Sequence, residues 1–354
     1  MDRRVGKKTI QTRVVATTAA LDVSLDVLFE QFMLAKASEN RAPRTLAQYR
    51  ENYNFFLGYL TERGQSKAFQ NVTTELLREY IVWMLHEKVQ FKGSKYAPKV
   101  QTVGLSPVTV NTRLKTLRVL FGFLKKEKII AEDPIKPIES VEEDENEVIV
   151  LTVEEMRRLF AMPDQKRFSD FRDYVLMNFL LDTFLRINEA LSLKVTDVDL
   201  DSGMVTVRGE VAKSRKSRMV PLNNYTVRLL RELLAENQEF VSEYVFLANY
   251  GDPLQANQFR HRLREYSEEA GIKKRVHPHL FRHTGATMFL ENGGDVRHLQ
   301  MMLGHSDLRM VLRYTHLSKQ SLKKQHEQFS PINAVRGKLN KERKIEVKQQ
   351  RIAM

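Results

Sequence analysis

The stretch "HPHLFRH", residues 277–283, sets three of the chain's nine histidines beside an arginine, and its reading decides what fold surrounds it. Three chemistries compete: a metal site, a packed corner that responds to pH, or a pocket that handles phosphate. His279 and His283 stand four apart, as two ligands on one helix face would. No HExxH-type glutamate accompanies them, however, and Pro278 interrupts the run, so the metal reading is weak. The chain as a whole leans towards phosphate. Its 354 residues carry a formal charge of +13, which suits a polyanionic partner, nucleic acid above all, although a merely basic soluble protein has the same balance.

The same composition closes off other classes. With no cysteine there are no disulfides, thiolate metal sites or cysteine nucleophiles. No apolar run approaches the ~18 residues of a membrane span, and the start "MDRRVGKKTIQTRVV" lacks the apolar stretch of a secretory signal. A cytoplasmic protein without membrane contact is expected. Neither a Walker-type glycine loop, nor a Gly-x-Gly-x-x-Gly, nor a nucleophile elbow occurs, so nothing points to a bound nucleotide or to Ser-His-Asp hydrolysis.

Outward from residue 277, the length suits two domains. "TLAQYRENYNFFLGYLTERG" reads as a helix opened by a capping box, Thr45 with Gln48, and closed by Gly64. Its apolar face is Leu46, Tyr49, Tyr53, Phe56, Leu57 and Leu60. "TTELLREYIVWMLHEK" repeats the pattern with Leu76, Leu77, Tyr80, Val82 and Trp83. "SPVTVNTRLKTLRVLFGFLKKEKII" starts with Ser106 as N-cap and Pro107 at N1, and its core face is Val110, Leu114, Leu117, Phe121 and Leu124. Thr109, Thr112, Arg113, Lys115 and Arg118 lie largely off that face. They make a basic, hydroxyl-bearing side that is either a DNA contact or a plain solvated surface, and Arg44 is grouped with the first four as a DNA-contact candidate. Next, "DPIKPIESVEEDENEV" combines prolines with repelling carboxylates and reads as a linker. Order restarts at Thr152 and Glu155, another capping box, and "MVTVR" and "RMVPL" read as strands around the basic loop "GEVAKSRKS". The expected layout is a basic arm over 1–22, a helical domain over 23–135, an acidic linker over 136–150, a mostly helical domain with a tail helix over 151–332, and a basic extension over 333–354.

Arg186 in "TFLRINEALSL", Lys213 in "AKSRKSRMVPL", His279 and Arg282 in "HPHLFRHTGAT", and His305 and Tyr314 in "LGHSDLRMVLRYTHL" follow one another as arginine, lysine, His-x-x-Arg, histidine, tyrosine. In that order, and in the stretch "LENGGDVRHLQMMLGHSDLRMVLRYTHLS" and the helix from Ser106, the chain resembles the tyrosine recombinase (phage integrase) family over roughly residues 24–332. The resemblance implies these six as catalytic residues, with Glu189 supporting the site. Lys213 rather than Lys216 fits the family's hairpin register of lysine, four residues, arginine, an apolar pair and proline. It also implies a mainly α fold with a small β-sheet: a two-domain, C-shaped DNA clamp made of an α-helical core-binding domain and a catalytic domain. The implied activity is site-specific recombination through a 3′-phosphotyrosyl bond and a Holliday junction, without metal, ATP or other cofactor. The implied partners are duplex DNA with inverted-repeat core sites, three further copies in a homo-tetramer on two DNA sites, and an accessory DNA-bending or directionality factor. The setting would be a bacterial, nucleoid-associated integrase or transposase of a mobile element. A type IB topoisomerase-like or hairpin-forming enzyme shares the same chemistry, and a DNA-binding regulator is the non-enzyme alternative. Three residues depart from the family's habit: Phe184 stands where many members have glycine, and Phe281 and Gly285 where leucine and phenylalanine are frequent.

Elementary chemistry agrees with these assignments. A phosphodiester under attack gathers charge on its non-bridging oxygens, and guanidinium forks match that geometry. A tyrosine with a pKa of about 10 attacks only if its proton is drawn off in a cationic setting. His279 is a candidate base, Lys213 a candidate acid for the departing 5′ oxygen, and His305 a hydrogen-bond donor to the phosphate. His277 and His283 read as structural.

Overall fold

The computed structural model describes residues 24–90, 102–143, 149–212 and 215–304, with 307, 308, 311, 314, 323 and 326–335 beyond them. The expectations for the basic arm, for the acidic run at 144–148, for Lys213 and His305, for much of the tail helix, and for the extension past 335 lie outside the described residues. Contacts divide the chain into two units, Met1–Glu145 and Asn146–Met354.

In the first unit α1 (Leu25–Ser38), α2 (Pro43–Glu62), α3 (Thr74–His86) and α4 (Pro107–Lys126) surround an aromatic core. Phe29 stacks on Tyr53 with ring centres 3.8 Å apart, and Phe56, Tyr59, Tyr80, Trp83 and Phe121 are all buried nearby. Ser106 caps α4 by accepting the Thr109 N–H at 3.3 Å, with Pro107 behind it, and all five expected core residues of that helix are buried. Gly64 follows the C-cap of α2 with φ 62°, the conformation glycine takes without cost. Two expectations fail. The expected Thr45–Gln48 capping box is replaced by a start at Pro43 after Ala42, because proline's fixed φ already nucleates the turn. Val82 is 51% exposed; only Leu76, Leu77, Tyr80 and Trp83 of that set point inward. The linker's first half is tied down: Asn111 on α4 donates to Val141 O at 2.8 Å and to Glu143 Oε1 at 2.7 Å, and accepts from Val141 N at 2.9 Å.

The second unit begins with α5 (Val153–Phe160), where Thr152 and Glu155 form the expected capping box. The central helix is α6 (Phe168–Thr183), buried on most of its surface. After the short α7 (Ile187–Leu191), strands β1 (Val198–Asp199), β2 (Met204–Val207) and β3 (Arg218–Pro221) form one antiparallel sheet in that order. Val205 pairs with Val220 and Val207 with Arg218, and Val205 and Val207 point into the core, as period two requires. β1 is a strand the hydrophobic pattern alone does not mark. Helices α8 (Asn224–Glu236) and α10 (Pro278–Glu291) pack on α6, α9 (Ala256–Glu269) and α11 (Val296–Leu303) belong to the same unit, and a short helix follows at Ile332–Val335. On α10, Leu280, Phe281 and Ala286 are buried, Phe281 meeting Phe160 edge to face, which fixes how the helix presents its polar residues.

Candidate active site

Three helix ends meet here. α6 stops at Phe184, whose φ of 56° and ψ of 22° are left-handed, a conformation that bulky side chains rarely adopt. Two residues on, Arg186 is the N-cap of α7, and Glu189 in the first turn accepts both its backbone N–H at 3.1 Å and its guanidinium at 3.0 Å. α11 ends at Gly304, φ 64°. Arg282, 3% exposed on α10, donates to Phe184 O at 2.5 Å and to Leu303 O at 2.8 Å. Both carbonyls belong to helix C-termini, which carry partial negative charge and lack helical partners. They take over from water as the guanidinium's solvent. Burial first, and the Arg186 charge next, lower Arg282's pKa to about 10, so it remains a cation at neutral pH.

Arg218, at the start of β3, is a residue the motif reading used only to set register. Its guanidinium donates to Glu189 Oε2 at 2.6 Å, and its Nε to Met302 O at 2.9 Å. Glycine at 304 allows this approach, since a Cβ there would lie 3.0 Å from the guanidinium. Burial pushes the Glu189 carboxyl up, but the Arg218 hydrogen bond and charge, helped by Arg186, outweigh it and hold the carboxyl below its ordinary value. Three guanidinium groups thus act on one another around one buried carboxylate.

His279 is exposed, with the His277 ring 6.4 Å away. Desolvation of its ring, then the positive charge of His277, Arg282, Arg186 and Arg260, hold it below its ordinary pKa, hence neutral at physiological pH. His277 caps α10, its Nδ1 accepting the Leu280 N–H at 3.2 Å. Tyr314 is 6% exposed among Phe184, Leu299, Leu303 and Val311, and its hydroxyl hydrogen-bonds not His279 but His283 Nδ1, at 3.0 Å. Five residues of the expected set (Arg186, Glu189, His279, Arg282 and Tyr314) therefore converge, together with Arg218 and His283. The base of the loop that carries Lys213 is closed by Gly209 N donating to Ser217 Oγ at 3.0 Å.

The departures at 184 and 285 are one feature. A Cβ on Gly285 would sit 2.7 Å from the Phe184 ring and 2.8 Å from Leu181 O. The ring of Phe184 occupies the space that a side chain at 285 would need. Of the DNA-contact candidates in the first unit, Arg44, Thr112 and Lys115 are exposed and Thr109 half-buried, its hydroxyl 2.9 Å from Ser106 Oγ. Thr112 Oγ1 donates back to Val108 O at 2.9 Å. Arg113 is turned inward, over the Phe55 ring at 3.5 Å and bonded to Asn52 Oδ1 at 3.3 Å.

The model of the phage integrase family matches residues 150–321, and that of the phage integrase SAM-like domain matches residues 25–141. Tyrosine recombinase XerD of Staphylococcus aureus is 28% identical over 313 residues, which cover 87% of this chain and 99% of the relative. Tyrosine recombinase XerC of Bacillus pumilus is 31% identical over 294 residues, 78% of this chain and 95% of the relative. In fold, the integrase of the Tn1549 transposon, solved with a circular intermediate DNA, matches at a TM-score of 0.66 and 19% identity over 86% of this chain and 99% of that one.

Proposed function

The chain belongs to the phage integrase family of tyrosine recombinases, and from that premise we propose that it cuts, exchanges and rejoins DNA strands at specific sites through a 3′-phosphotyrosyl intermediate and a Holliday junction. The observation that carries the reading is the cluster of guanidinium groups, Arg186, Arg218 and Arg282, gathered near Glu189, beside a tyrosine whose charge would act on Arg282. Partly and fully buried cations gathered in this way suit an anion that carries negative charge into the site. A phosphodiester fits, and its transition state fits better, because charge grows on the oxygens that the arginines face.

In this mechanism Arg186 and Arg282 clamp the scissile phosphate while Glu189 and Arg218 hold Arg186 in place. Tyr314 attacks phosphorus, Lys213 protonates the 5′ oxygen as it leaves, and His305 hydrogen-bonds the phosphate. Neutral His279 is available to the phosphate or to a proton. The phosphotyrosyl bond keeps the energy of the broken one, so strand rejoining needs no nucleotide, and cleavage is expected to proceed in EDTA. A nicked suicide substrate tests this. Tyr314→Phe should bind DNA and form no covalent adduct, and an adduct surviving in that variant would remove Tyr314 from the role.

The N-terminal unit is assigned to the duplex arms of inverted-repeat sites, with Arg44, Thr112 and Lys115 towards the phosphates and Thr109 and Arg113 behind them. Binding that loses little affinity between low and moderate salt would contradict this, since each neutralised phosphate adds to the salt dependence. Assembly as a tetramer on two sites draws support from a groove of about 1440 Å³ in the catalytic unit, lined by Leu181, Phe184, Met219, Met288, Phe289 and Met301. The tail leaves Phe329, Ile332 and Val335 at least 59% exposed, and a neighbouring copy's tail would fill such a groove. Deleting residues from Ser318 onward should spare single-site binding and reduce pairing of two sites. The element carrying the gene is read as a mobile one; attachment sites or inverted repeats beside the gene, and a DNA-bending or directionality factor encoded with them, are the expected accompaniment.

A further inference from the structure

Tyr314 poses a proton problem. Its phenol must lose a proton as it attacks, and the base must lie within hydrogen-bond reach. His279 is exposed on the face of α10 open to a ligand, whereas Tyr314 is 6% exposed and hydrogen-bonded to His283 Nδ1 at 3.0 Å. The two rings are 5.5 Å apart at 42°, and His283 is half-buried one residue after Arg282, so a single turn of α10 carries both the phosphate clamp and the contact to the nucleophile.

We propose that His283, rather than His279, accepts the Tyr314 proton during cleavage. The inference rests on the reading of Tyr314 as nucleophile. The O–H bond of Tyr314 breaks and its proton passes to Nδ1 of neutral His283, giving an imidazolium. The Tyr314 oxygen bonds to phosphorus, the bond from phosphorus to the 5′ oxygen breaks, and that oxygen takes a proton from the general acid. On rejoining, the imidazolium returns its proton to the departing phenolate. His279 is then left to donate a hydrogen bond to a phosphate oxygen. Among the described residues, charged groups near this turn are Arg282 beside it and those that act on Arg282: Arg186 and Glu189 from the start of α7, and Arg218 from β3. Arginine and an ion-paired carboxylate hold their charge near neutrality, so an acid limb in adduct formation falls to a histidine.

The test uses the full-length chain on a nicked suicide substrate, with rates of covalent adduct formation read from pH 5.5 to 8.5 and DNA binding read in parallel. His283→Asn keeps a hydrogen-bonding group near the Nδ1 position but cannot take the proton. It should bind DNA as the unaltered chain does, lose about 10²–10⁴-fold in rate, and lose the acid limb. His279→Asn should slow the reaction but keep the limb. A His283→Asn rate within threefold of the unaltered chain, or a limb that disappears in His279→Asn instead, overturns the proposal. If His283→Asn melts early, His283→Ala with added imidazole is read instead; at least tenfold rescue is expected, and none overturns the proposal. Tyr314→Phe separates the two readings. An adduct that persists there refutes Tyr314 as nucleophile, whereas an adduct lost there but unaffected by His283→Asn refutes only the base.

Discussion

In the N-terminal unit the pairs Arg50 with Glu30 and Arg63 with Glu87 lie at the surface, all four side chains at least 41% exposed, while Arg113 turns inward over Phe55 without a buried carboxylate cluster around it among the described residues. Among the described residues, the unit's buried polar side chains are Asn52 and Thr116, bonded to each other at 2.8 Å. Among the described residues of the catalytic unit five carboxylate and guanidinium side chains are buried, Asp170, Arg172, Asp173, Glu189 and Arg282. They form two clusters of different kinds. In one, Arg172 bonds Asp173 at 2.7 Å, and Arg262 pairs with both Asp170 and Asp173, so two arginines face two aspartates. Burial still pushes Asp173 up to about 6 against the pull of Arg172. In the other, Arg186 and Arg218 both bond Glu189, and Arg282 lies close enough to feel the charge of all three. Buried charges that pair off within the fold hold it in one arrangement; a cluster rich in cations suits an anionic ligand.

The sharpest way to break that comparison is to remove the shared carboxylate. Glu189→Gln strands two guanidinium groups, and losing one partner of a buried pair costs about 3–5 kcal/mol. Glu30→Gln, at an exposed pair, should cost about 0–1 kcal/mol. The chain's single tryptophan, buried Trp83, reports the N-terminal unit alone. In urea, Glu189→Gln should therefore shift the unfolding seen by circular dichroism and leave the tryptophan transition in place. Equal shifts in both signals would mean that the units do not differ as described.

A smaller effect is expected where packing, not charge, is altered. Gly285→Ala drives a methyl into the Phe184 ring and the Leu181 carbonyl, and overpacking of this kind costs about 1–3 kcal/mol. Adding Phe184→Gly should recover part of it, since it clears the ring and relieves the left-handed strain at 184. Strictly additive thermal shifts in the double variant would separate the two positions that the structure joins.

The smallest effect is a pH slope confined to the catalytic unit. Burial first, and neighbouring positive charge second, hold His277 and His279 below the unfolded value of about 6.5. Between the folded and unfolded pKa values the unfolded chain binds more protons, so stability rises with pH there and levels off above it. His279→Asn should flatten that slope in denaturant titrations. A steeper slope in the variant would reverse the sign of the shift.

What was legible in the sequence was local. Ser106 with Pro107, Thr152 with Glu155, and Gly64 are caps, and a cap is set by residues three or four apart. The Thr45 start failed because Pro43, two residues earlier, offered a stronger one. The order of Arg186, His279, Arg282 and Tyr314 was visible, but not what holds them. Arg218 reaches Glu189 across 29 positions and Met302 across 84, and His283 reaches Tyr314 across 31. No periodicity encodes such contacts. The exchange of bulk between 184 and 285 showed in the sequence as two separate oddities and became one fact only in space.

The central claim, that the positive charge clustered around Glu189 serves the negative charge of a phosphodiester, is tested most directly by taking the phosphodiester's charge away. A suicide substrate with a methylphosphonate at the scissile position lacks one charged oxygen. Rates of Tyr314 adduct formation would be compared for the unaltered chain and Arg186→Ala on both substrates. On phosphate the variant should lose about 10²–10³-fold, as when one transition-state donor is removed. On methylphosphonate the loss should shrink to within tenfold, because there is less charge for Arg186 to meet. The same loss on both substrates would show that Arg186 shapes the site without reading phosphate charge, and would contradict the claim.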